Sequence, residues 1–65
     1  MAQHILTFAG VTGADQVNRI TTALMLLDGV DSAEVSRHSA EVEGSARREA
    51  LIRAVEGLQL GIEVS

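Results

Sequence analysis

The apolar residues of this 65-residue chain switch between two periods, and the order of the switches limits what it can fold into. Over residues 4–9 they alternate: Leu6 and Phe8 point one way, Ile5, Thr7 and Ala9 the other, as on a strand. Over 14–27 they recur as Val17, Ile20, Leu24 and Leu27, one face of a helix. Strand-like alternation returns over 30–37 and 40–43, with Val35 and Val42 inward and Glu34, Ser36, Glu41 and Glu43 outward. A second helical pattern over 45–58 buries Leu51, Val55 and Leu58, and Leu60, Ile62 and Val64 mark a last strand over 60–64.

Local signals punctuate this pattern. Thr12 stands where an N-cap belongs, with Asp15 three residues on as a capping box. Asp28-Gly29 ends the first helix, with Gly29 as the C′ residue. His38-Ser39 reads as a hairpin turn, and Ser45 as the cap of the second helix. The order is βαββαβ. Two right-handed crossovers joined by a hairpin give a four-stranded antiparallel sheet with both helices on one face, an α+β sandwich of ferredoxin-like topology. The two halves share a strand–helix–strand plan without a sequence repeat. No linker or low-complexity run divides the chain, so residues 1–65 read as a single domain.

A domain this small sits near the lower limit for an unassisted core. It has no cysteine, so aliphatic packing or association must hold it together. The formal charge of −4 argues against a nucleic-acid surface, which needs clustered basic residues. No apolar run is long enough to span a membrane, and no secretory signal is visible at residue 1, so the expected location is the cytoplasm.

Residues 10–20 read G-V-T-G-A-D-Q-V-N-R-I. This resembles the metal loop of heavy-metal-associated domains, G-M-T-C-x-x-C-V-x-x-I. Gly10, Thr12, Val17 and Ile20 fall on the pattern, whereas the two cysteine positions hold Gly13 and Gln16. The resemblance continues. Ala23-Leu24, Leu27, Gly29 and Val30 are similar to that family's A-L-x-x-L-x-G-V, and the run from Leu51 to Glu56 to its L-I-x-A-I-E. The closing G-Y of many members is replaced by Gln59-Leu60. The resemblance implies a copper chaperone or a metal-ATPase N-terminal module, carrying Cu(I) or another soft ion between two thiolates.

The chemistry of the loop contradicts that cargo. Cu(I) is soft and needs sulfur ligands, and the helix N-terminus serves the pair by stabilising thiolates. Gly13 offers no side chain and Gln16 only a hard, neutral oxygen. No cofactor or metal is therefore expected. A weak alternative for Zn(II) or Cu(II) is Asp15 with His38, at the same end of the fold, although a solvated turn histidine and a helix-start carboxylate account for both residues. His4 begins strand one at the opposite end. The backbone at the start of helix one could attract a small anion, which Asp15 opposes.

No catalytic set is visible, and the expectation is a protein that is not an enzyme. Glu34, Glu41, Glu43 and Glu63 fall on the outer face of the sheet, where RNA-binding versions of this topology place aromatic residues. Met25 and Leu26 lie off the buried stripe of helix one, which makes them either peripheral core or a contact patch. Ile5 and Thr7 on the outer sheet face are a second candidate. The expected function is a degenerate heavy-metal-associated-like domain acting through protein contacts, its partner a metal transporter or a second copy of itself. The alternative is a ligand-sensing regulatory module of the same topology, binding a small molecule at a dimer interface.

Overall fold

A computed structural model describes residues 2–65. The elements run β1 (Ala2–Ala9), α1 (Ala14–Met25), β2 (Val30–Val35), β3 (Ser39–Gly44), α2 (Arg48–Glu56) and β4 (Glu63–Val64). The strands form one sheet in the order β2-β3-β1-β4, all neighbours antiparallel. This is the expected βαββαβ sandwich.

The core is drawn from the set that the two periods select. Leu6 and Phe8 from β1, Ile20 and Leu24 from α1, Ala40 and Val42 from β3, and Leu51 and Val55 from α2 are buried together. Every member is aliphatic apart from Phe8, and among the described residues no polar side chain is buried with them. Burying each large side chain contributes roughly 1.5–3 kcal/mol, the main stabilising term in a chain without cross-links. Val17, Leu27, Val35, Leu58, Leu60, Ile62 and Val64, which the same pattern selects, are only half-buried.

The element ends depart from expectation in consistent ways. Helix α1 stops at Met25 with Leu26 as its C-cap, so Leu27 lies beyond it and Gly29 is not its C′ residue. Gly29 instead takes φ +89 in the turn that launches β2. Its carbonyl accepts the Ala46 N–H at 3.0 Å, which pins 45–47 before α2 can begin. Ser45 is therefore not the cap. Arg47 is the N-cap, with no side-chain cap bond, and α2 ends at Glu56 short of Leu58. Gly44 closes the same corner: its φ is +144, and a Cβ there would overlap the Gly29 carbonyl oxygen.

The β2–β3 turn is centred one or two residues earlier than expected. Ser36 closes it, its N–H and hydroxyl both donating to the Ser39 carbonyl at 2.8 and 3.0 Å, and Ser39 belongs to β3. Strand β4 is shorter than 60–64, because Gln59 and Gly61 both have positive φ and keep the chain turning until Ile62. Thr7 and Ser65 then exchange main-chain hydrogen bonds of 2.9 and 3.0 Å. Arg48 extends from the start of α2 and donates through Nη1 to the Ile5 carbonyl at 2.7 Å, tying that helix to β1.

Candidate functional site

Loop 10–13, the β2–β3 turn and the 57–62 connection meet at one end of the sheet. Phe8 N–H donates to the His38 carbonyl at 2.8 Å, which brings the turn beside the end of β1. Gly10, at φ +98, passes so close to the 57–62 segment that a Cβ would stand 3.2 Å from the Gly61 carbonyl oxygen. The loop thus packs closely against that segment before it enters α1.

Helix α1 starts differently from the sequence reading. Its N-cap is Gly13, in extended conformation at φ −166, and no side chain caps it. Thr12 is one residue too early to do so, and Asp15 makes no capping-box bond. Gln16 takes over: its Oε1 accepts the Thr12 main-chain N–H at 2.8 Å and lies 3.4 Å from the Thr12 hydroxyl. Gln16 is the third helical residue, and its side chain reaches back past the Gly13 N-cap to the preceding residue. The bond goes to Thr12, one residue before the Gly13 N-cap, and glycine has no hydroxyl to reciprocate, so this is not a capping box and no such signature announced it in the sequence.

Gly13 and Gln16 thus face the same shallow hollow, lined also by Thr12, Ala14, Asp15, Arg19 and Leu60. Nothing lies within 4 Å of where a Gly13 Cβ would stand. Leu60, in place of the aromatic residue of the resembling pattern, forms the hollow's apolar side. The donor set is one amide oxygen, already engaged, with one carboxylate and one hydroxyl. These are hard oxygen groups beside a cation, a poor fit for a soft metal ion. Asp15 and His38 are both exposed at this end. Among the described residues, no group of three or more His, Asp or Glu is placed to hold a metal ion.

The other candidate residues lie on two separate surfaces. Met25 is 47% exposed and Leu26 79%, at the C-terminal end of α1. Beside Leu26, a groove is lined by Asn18, Arg19, Thr22, Ala23 and Leu58. Arg19 therefore borders both the loop hollow and this groove. On the opposite side of the molecule, Ile5 is 55% exposed and Thr7 is exposed on the open face of the sheet. Among the described residues, no helix is long and apolar enough to cross a membrane.

Comparison with solved structures places this architecture among heavy-metal-associated domains of copper chaperones and P-type ATPases. The chain superimposes on a copper-binding domain from HMA7, a P-type ATPase, with a TM-score of 0.88 and 26% identity, covering 100% of this chain and 92% of that one. The CopZ metallochaperone gives a TM-score of 0.88 and 25% identity, covering 98% of this chain and 100% of that one. The N-terminal domain of PacS from Synechocystis PCC6803 gives 0.85 and 24%, covering 100% and 96%, a likeness of fold. No family model matches the sequence, and no curated protein matches it. The resemblance first read from residues 10–20 thus holds over the whole chain, in a molecule that has no cysteine.

Proposed function

We propose that this chain is a metal-trafficking type of domain that has given up soft-metal carriage, is not an enzyme, and works in the cytoplasm through protein contacts. The observation that carries the reading is the occupancy of the two loop positions. Gly13 and Gln16 stand where the resembling pattern has thiolates, and Gln16 is turned back onto Thr12 N–H. A side chain whose acceptor closes its own loop is not presented to a metal. The partner surface is then the exposed apolar end of α1 at Met25 and Leu26, with Ile5 and Thr7 on the sheet as the second face. A metal transporter or a second copy of the chain fits the class of the structural neighbours, among them a metallochaperone and a domain of a P-type ATPase.

The test is gain of function. Gly13→Cys with Gln16→Cys restores the two thiolates at the start of α1. Position 13 is extended and open, so a cysteine enters without strain. The double variant is expected to fold and bind one Cu(I) where the parent binds none. A folded double variant without Cu(I) affinity would show that the loop is not a vacated metal site.

A further inference from the structure

The two exposed patches differ in charge as well as position. The helices and their flanking turns carry Arg19, Arg47, Arg48 and Arg53 against Asp15, Asp28, Glu49 and Glu56, and are balanced. The strands and the β2–β3 turn carry Asp31, Glu34, Glu41, Glu43 and Glu63 against Arg37 alone, so the formal charge of −4 resides on the sheet side. On the open face, Ile5 pairs across to Glu41 and Glu41 to Glu34, forming one row over three strands. The adjacent row is Gln3, Glu43 and Ser32. Glu34 and Glu41 are thus direct cross-strand neighbours of like charge, an arrangement that costs stability and gains from a cation laid over it. The α1 groove has the converse character: Leu26 and Ala23 at one end, and Arg19 as its only charged lining residue.

We propose that the α1 strip and the open face of the sheet are the two halves of one head-to-tail contact between copies of this chain. This rests on the reading of α1 as a contact surface and names its occupant. The spacings agree. Arg19 and Leu26 lie on one side of the helix, seven residues and so about 10 Å apart at 1.5 Å per residue. Ile5 and Glu34 are separated by two strand spacings, also about 10 Å. Leu26 seated on Ile5 therefore sets Arg19 over Glu34 and Glu41, covering the two most exposed aliphatic side chains and supplying the missing cation. The symmetric alternatives are worse. Sheet against sheet opposes two sets of Glu34, Glu41 and Glu43. Antiparallel α1 against α1, centred on the groove, buries each Arg19 against the other copy's Leu26 with no anion. A head-to-tail contact does not satisfy both surfaces in a dimer, so it propagates into longer chains or closes as a ring.

The experiment is sedimentation of the purified chain up to about 1 mM. Association beyond a dimer is expected, weakening about tenfold as salt rises from roughly 0.05 to 0.5 M. Leu26→Glu removes the helix half and Ile5→Lys the sheet half. Both positions are exposed, and an unchanged circular dichroism spectrum checks the fold. Each variant alone is expected to be monomeric, while an equimolar mixture forms a heterodimer that cannot extend, through the one intact pair of surfaces. Arg19→Glu is expected to abolish association, and adding Glu34→Arg to the same chain to restore it. A wild type that is monomeric at 1 mM, or a mixture that gives no heterodimer, overturns the contact. Either result leaves the loop reading intact, because that reading is decided by Cu(I) binding and not by association state.

Discussion

Gln16 Oε1 accepts the main-chain N–H of Thr12 at 2.8 Å, so the residue at the second ligand position of the resembling loop closes that loop itself. Substituting Gln16→Ala leaves the Thr12 amide to water. A net loss of about 0.5–1.5 kcal/mol is expected for one such bond, at the lower end because the site is exposed. Amide exchange by NMR should show Thr12 losing protection while the β1–β3 ladder keeps its own. Unchanged protection at Thr12 would mean that the bond does not persist in solution.

Leu24 and Leu26 are two residues apart and opposite in environment: Leu24 is 0% exposed, Leu26 79%. Leu24→Ala should cost roughly 2–5 kcal/mol, enough to unfold much of a domain whose whole stability is about 5 kcal/mol or less. Leu26→Ala should leave the melting temperature nearly unchanged. Thermal unfolding of the two variants side by side checks this, and equal losses would contradict the packing of α1.

Gln59 takes φ +56, the left-handed region that favours glycine, at the position where the resembling pattern has its closing Gly. A non-glycine residue there costs roughly 1–2 kcal/mol, against an entropic cost of about 0.5–1 kcal/mol for glycine in the unfolded chain. Gln59→Gly should therefore raise stability by about 0.5–1 kcal/mol, read as a higher denaturant midpoint with an unchanged slope. A lower midpoint would show that the Gln59 side chain contributes more than its backbone strain costs.

The parts of this fold that could be read in advance were those set by burial. Leu6, Phe8, Ile20, Leu24, Val42, Leu51 and Val55 announce themselves by spacing, because a one-residue slip would turn a strand's apolar set to water. The element ends could not be read the same way. Ser45 has the chemistry of a cap, but Ala46 N–H is already held by the Gly29 carbonyl, a contact between residues 17 apart in sequence that no local pattern encodes. Thr12 likewise has a capping side chain in the wrong place, by one residue, because Gly10 fixes how the loop enters the helix. At the loop, the absence of cysteine was plain from the sequence, whereas the return of Gln16 onto Thr12 was not. It depends on the helix starting at Ala14, which only the folded loop reveals.

The proposed loss of soft-metal carriage is open to direct measurement. A competition titration measures this directly: Cu(I) is added to the native chain under anaerobic conditions against a chelator of known affinity. The expected result is that the chelator keeps the metal at every ratio, with no stoichiometric Cu(I) on the protein. One equivalent of Cu(I) retained by the chain in the presence of the chelator would contradict the account.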